Sequence, residues 1–235
     1  MPDFAARPYM PFNREDAVAI ALREWRLFGS KTDEQGEAGQ KPERAPGLWE
    51  RVGEYWWLGL GGAGREARWT GKHDEDGRVF AVSDDEHYAW SAAFISYVMR
   101  IAGAGSRFPY APDHATYVNA AASGASPILV AHPAQSYAPR PGDFLCFGRA
   151  ASSGLSFKDL PRPGSWPGHC AIVVAASRPG QLDVVGGNDN DAVTMNHVSV
   201  GADGSLASAA GGRPWPIVIQ VRYDAETDPD PGASP

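Results

Sequence analysis

Cysteine is scarce: the 235-residue chain has two, Cys146 and Cys170. That excludes a disulfide framework, and the absence of any Cys-x-x-Cys pair or of histidines at helical ligand spacing removes the usual signatures of a metal site. Basic runs are missing too. With 21 Lys and Arg against 28 Asp and Glu the net charge is −7, so the footprint of a nucleic-acid or membrane-surface binder is absent. No stretch approaches the roughly eighteen apolar residues of a membrane span. The start, Met1-Pro2-Asp3-Phe4-Ala5-Ala6-Arg7, lacks the charged-then-apolar order of a secretory signal. These absences predict a cytoplasmic protein without membrane insertion, leaving export by another route or from a trimmed precursor open. No internal repeat is visible.

What is present is a loop-rich globular chain, with 27 Gly, 20 Pro and 8 Trp among 43% hydrophobic residues. From Asn13, a capping residue, Val18, Ala21, Leu22, Trp25 and Phe28 recur at helical spacing until Gly29. Residues 31–46 are charged and aperiodic, and read as an exposed loop. A second helix is expected over 48–58 and a third, nearly all apolar and therefore buried, over 90–102. Ser83-Asp84-Asp85-Glu86 supplies acceptors suited to the start of that third helix. A short helix over 113–122 follows. The pattern then turns to strands over 128–131, 143–147, 169–175, 182–185, 192–200 and 217–223, separated by Gly and Pro turns. Helices first and strands afterwards predict an α+β fold with the helices packed on an antiparallel sheet. The expected division is an N-terminal extension over 1–12, one domain over 13–223 (helical part 13–125, sheet part 126–223) and a disordered tail over 224–235.

Four segments carry the candidate chemistry. They are Trp90-Ser91-Ala92-Ala93-Phe94, Pro141-Gly142-Asp143-Phe144, Gly168-His169-Cys170-Ala171-Ile172-Val173 and Val184-Val185-Gly186-Gly187-Asn188. A nucleophile at a helix start, a histidine opening a strand and a polar residue ending the next resemble, in that order, the papain-like cell-wall hydrolases of the CHAP and NlpC type. The chain is closest to the bacterial domain of unknown function 2272, on Trp90-Ser91-Ala92-Ala93-Phe94-Ile95-Ser96 and Pro112-Asp113-His114-Ala115-Thr116-Tyr117. The resemblance spans roughly residues 13–223 and implies a papain-like fold.

It also implies hydrolysis of amide bonds in bacterial cell-wall peptide, with Ser91 as nucleophile, His169 as base and Asn188 as orienter, and needs no cofactor and no metal. The pattern departs from the resemblance at two positions, because Ser91 stands where such hydrolases have Cys and Gly186 where they have Glu. A serine needs its proton removed in concert by the imidazole, together with donors for the developing oxyanion. The plainer readings are a capping hydroxyl at Ser91, a backbone-bonded His169 and a turn-forming Asn188, which together would make a catalytically silent module binding peptidoglycan or a protein partner. Trp90, Trp166 and His114 are the candidate substrate-binding residues, His114 alternatively serving its own helix start. Both cysteines, on strands expected to be neighbours, are expected as buried structural thiols, the alternatives being a thiol nucleophile or an adjacent cross-strand pair. Cys170 should point to the strand face opposite His169, since successive strand residues alternate.

Overall fold

The computed structural model describes residues 11–32, 40–206 and 215–224. Helix α1 spans Arg14–Leu27, and its cap is Asn13, whose side chain accepts from the Asp16 N–H. Helices α2 (Leu48–Gly59), α3 (Ser91–Ile101) and α4 (His114–Ser123) follow. The strands come after them: β1 Leu129–Pro133, β2 Phe144–Gly148, β3 Gly168–Arg178, β4 Gln181–Asp189, β5 Ala192–Ser199 and β6 Ile217–Val221. They form one sheet in the order β1-β6-β2-β3-β4-β5, antiparallel at every pairing. The α+β architecture expected from the order of periodicities is therefore present.

Strand alternation divides the interior. Phe144 and Cys146 of β2 and Cys170, Ile172 and Val174 of β3 face the helices, whereas Leu145, Ala171 and Val173 join a smaller cluster on the other side of the sheet. Helix α3 lies between α2 and the sheet, packing on β3 and β4. Every residue from Ser91 to Met99 is buried, as an apolar pattern on all faces requires. Asp143, the acid of the Pro-Gly-Asp turn, is fully buried. It accepts from the N–H groups of Arg140 and Val221 and from the Tyr137 hydroxyl, at 2.9, 3.0 and 3.1 Å, tying the turn to β6.

Several expectations need correction. Cys146 and Cys170 are joined as a disulfide, not left as thiols. They sit directly opposite each other in the β2–β3 register, and because both point to the helix side no backbone shift is needed to bridge them. The charged stretch 31–46 is not wholly an exposed loop. Residues 33–39 lie outside the described residues, but Pro42–Arg44 is a short 3-10 turn in which Glu43 is 3% exposed. The acceptors of 83–86 do not cap α3, which has no side-chain cap. They lie in another 3-10 turn, Val82–Tyr88, whose Asp85 binds Lys41 and Arg44, each at 2.8 Å.

The expected chain ends also meet the domain. Phe12 is fully buried against Tyr223, and the backbones of Phe12 and Asp224 bond each other. Residues 1–10 of the expected extension and 225–235 of the expected tail lie outside the described residues. No helix among the described residues is long and apolar enough to cross a membrane.

Candidate functional site

Ser91 is the first residue of α3, and its position is set by the residue before it. Trp90 is 1% exposed. Its indole N–H donates to Glu43 Oε2, and its ring packs against Phe28 and Tyr55. Gly187 of β4 allows this approach, for a Cβ there would stand 2.6 Å from Phe94 Cβ and 2.8 Å from Trp90 Cζ3. Trp90 is thus core, and its expected role in contacting substrate does not survive its burial. With no side-chain cap on α3, the first-turn N–H groups, which a helix leaves without intrahelical partners, stay available at Ser91 and Ala92.

The imidazole at Ser91 is His114. Ser91 Oγ and His114 Nε2 are 2.6 Å apart, and His114 Nδ1 contacts the Tyr117 hydroxyl. His114 opens α4, whose cap Asp113 accepts from the Thr116 N–H at 2.9 Å and from the Thr116 hydroxyl at 3.1 Å. Spacing i to i+3 puts His114 and Tyr117 on one helix face. Burial, then the neighbouring His169, then Arg149 hold the His114 imidazole well below the usual histidine value, so it is neutral. Burial, then Asp113, push the Tyr117 phenol well above its usual value. The string Pro112-Asp113-His114-Ala115-Thr116-Tyr117 thus holds cap, base candidate and ring partner. Its signal in the sequence was a capped helix start with His and Tyr three apart, and Tyr117 escaped notice there.

The pair opens into a cavity of about 280 Å³ lined by Ser91, Ala92, Asp113 and His114 on one side and Ser165 and Trp166 on the other. Trp166, expected near the site, is there. It belongs to the strap between β2 and β3, which Asn119 of α4 grips at both polar atoms: its amide donates to the Arg162 carbonyl at 2.7 Å, and its oxygen accepts from the Arg162 N–H at 2.8 Å.

His169 lies behind this wall. As expected it is on the strand face opposite Cys170, but Cys170 is the residue that faces the helices. The His169 ring is 5.6 Å from Phe147 and 6.5 Å from Trp215, both of the smaller cluster, and 5.5 Å from His114 between ring centres. Asp189 Oδ2 stands 3.9 Å from His169 Nε2 and accepts from Asn196 Nδ2 at 2.9 Å. Asn188 has a φ of 56° and lies within β4 at a bulge in the β4–β5 pairing; the turn to β5 falls at Asn190 and Asp191, and the carboxylate near His169 is that of Asp189. The glycine standing for Glu has a packing cause: a Cβ at Gly186 would be 2.9 Å from His169 Nε2.

Among the described residues one acidic cluster, Glu43, Asp85 and Asp191, brings ligand atoms within 4.8 Å of one another. The Lys41 ammonium bridges Asp85 and Asp191 at 2.8 Å each, filling the role a cation would take. Burial opposes the Lys41 charge, but the hydrogen bonds to the two carboxylates outweigh it and raise its pKa. Burial, against the Trp90 hydrogen bond and aided by Asp191 and Asp85, pushes Glu43 up to about 7.

A family model described as an uncharacterized protein conserved in bacteria (DUF2272) matches residues 43–223, a span that contains Ser91, His114, Tyr117, Trp166 and His169. No curated protein and no solved structure matches the chain.

Proposed function

The chain belongs to the bacterial family DUF2272, and from that premise we propose that it is a papain-like hydrolase of amide bonds in cell-wall peptide, with Ser91 as nucleophile and His114 as base. The observation that carries the reading is the 2.6 Å contact of Ser91 Oγ with His114 Nε2 at the mouth of a cavity. The Ser91 proton passes to Nε2 as Oγ bonds the carbonyl carbon. The N–H groups at Ser91 and Ala92 receive the oxyanion. The C–N bond then breaks as Nε2 returns the proton to the departing amine, and water repeats the sequence to free the acid. His169, whose ring centre is 5.5 Å from that of His114, is a neighbour of the pair and not its base.

The wall substrate is supported by the resemblance of the helix-start, Pro-Gly-Asp and Gly-His segments to the CHAP and NlpC hydrolases. The Cys146–Cys170 disulfide supports a working place in an oxidising compartment such as the cell envelope. The test is release of new amine from peptidoglycan fragments by the wild type, Ser91→Ala and Ser91→Cys, with mass-spectrometric detection of Ser91 phosphonylated by a fluorophosphonate, which loses fluoride as Oγ bonds phosphorus. Release and labelling that vanish in Ser91→Ala, with activity kept or gained in Ser91→Cys, are expected. Fragments bound but never cut, by the wild type and by Ser91→Cys alike, would leave a silent binding module.

A further inference from the structure

A neutral imidazole carries one ring proton, so one nitrogen donates and the other accepts. Both His114 nitrogens are engaged, Nε2 by Ser91 and Nδ1 by Tyr117. Two arrangements satisfy these contacts. In the first, the Tyr117 hydroxyl donates to Nδ1, Nε2–H donates to Ser91 Oγ, and the serine proton turns to the cavity. In the second, Ser91 donates to Nε2, Nδ1–H donates to the Tyr117 oxygen, and the phenol proton needs another acceptor. Tyr117 is fully buried, and among the described residues the hydrogen bond its hydroxyl makes is the one with His114. The second arrangement therefore strands a buried O–H, which is the costly case. The first leaves no buried hydrogen unpaired.

We infer that Tyr117 is a positioning residue that holds resting His114 as the Nε2–H tautomer, so that Ser91 and His114 are assembled but not yet base-competent. The regulatory meaning rests on the reading of Ser91 and His114 as the reacting pair. The tautomer itself does not. A carboxylate at the Tyr117 position would accept from Nδ1–H and fix the opposite, active tautomer. A phenol with no second acceptor does the reverse, and the pair becomes competent when Nε2 gives its proton to solvent in the cavity and Nδ1 takes one up in exchange, the phenol oxygen then accepting from Nδ1–H.

The experiment is long-range ¹H–¹⁵N NMR on the full chain labelled at histidine, with the His114 signals assigned by their loss in His114→Ala. The expected spectrum has a protonated Nε2 and a bare Nδ1. Tyr117→Phe keeps the ring that packs on Phe108 and Phe144. It should shift His114 toward the Nδ1–H form and speed fluorophosphonate labelling of Ser91 by up to about tenfold, because the resting tautomer's bare Nδ1 loses its donor and is then no better paired than the active form. A wild-type spectrum with protonated Nδ1 overturns the inference, as does a wild type whose Ser91 labels and whose rate is unchanged or slowed in Tyr117→Phe. A bare Nδ1 in a protein whose Ser91 labels in neither form supports the tautomer assignment and removes the hydrolase reading, so the two fail separately.

Discussion

His114 and His169 are both buried, 4% and 1% exposed, and their ring centres are 5.5 Å apart, yet they occupy different environments. A capped helix delivers His114 onto a hydroxyl and an open cavity. A strand delivers His169 to the far side of the sheet, among Phe147, Trp215 and the carboxylate of Asp189. A Gly-His strand opening specifies where the backbone stands. Which face the ring takes follows from strand parity and from the room left by the neighbours, here Gly186.

Exchanging the two histidines is the strongest way to break that contrast. His114→Ala and Ser91→Ala should each cut kcat/KM on wall peptides by about 10²–10⁴-fold, the range of a general base or more, and the double variant should cost little beyond either. His169→Ala should keep turnover within about tenfold and instead lower stability by roughly 2–4 kcal/mol, the cost of emptying a core site. Turnover lost in His169→Ala and kept in His114→Ala would invert the assignment. Because burial beside His169 depresses the His114 pKa, the base stays deprotonated on acidification. The acid limb of kcat/KM should therefore lie below the ordinary histidine value near 6.5.

The disulfide separates the two regions at the next scale. Cys146 and Cys170 close the base of the strap that carries Ser165 and Trp166. A cross-link around a loop of this length is worth about 3 kcal/mol. The double variant Cys146→Ala, Cys170→Ala should lose that much in chemical denaturation, and turnover should weaken through KM more than through kcat, because the cavity wall loosens while the Ser91–His114 pair stays on its helices. Equal stability with and without reductant would refute the cross-link.

The fold was legible because its periodicities are strong: the buried α3 pattern, the Asn13 cap and the alternating strands each name one solution. The site was legible only in part. Ser91 and Trp166 reach the cavity as their positions suggested. His114 was readable as a helix start, but its partner depends on how α3 and α4 meet, and nothing in either segment encodes that contact. Trp90 looked like a binding aromatic because its acceptor, Glu43, lies 47 residues away in a stretch whose charge suggested solvent. The disulfide was legible only as one alternative, a cross-strand pair on neighbouring strands. Two cysteines 24 residues apart show their pairing only once the register sets them opposite each other.

Glu43 allows a test of how Trp90, and through it Ser91, is held. Its pKa is raised to about 7 from an unfolded value of 4.5, so the folded state binds a proton that the unfolded state releases. This contribution is fully present below pH 4.5 and is lost as pH rises through 7. Stability should decline across that window by at most roughly 3 kcal/mol, and Glu43→Gln should flatten the decline. A wild-type curve without a Glu43-dependent slope would mean the carboxyl is ionised throughout.

The smallest effect concerns the cap that delivers His114, and it separates a helix-made site from a strand-made one. Asp113 accepts from the Thr116 N–H and hydroxyl, and Asn caps a helix about as well as Asp, whereas Ala costs about 1 kcal/mol. Asp113→Asn should therefore leave thermal stability within about 0.5 kcal/mol and keep Ser91 labelling near the wild-type rate. Asp113→Ala should lose about 1 kcal/mol and slow labelling several-fold, because His114 is the first helical residue after the cap and moves when that turn frays. The same two changes should leave the His169 resonances in place, since the sheet and not α4 holds that ring. Labelling that ignores Asp113→Ala would show that the cap does not place His114, and His169 signals that move with it would show that the two imidazoles are not positioned independently.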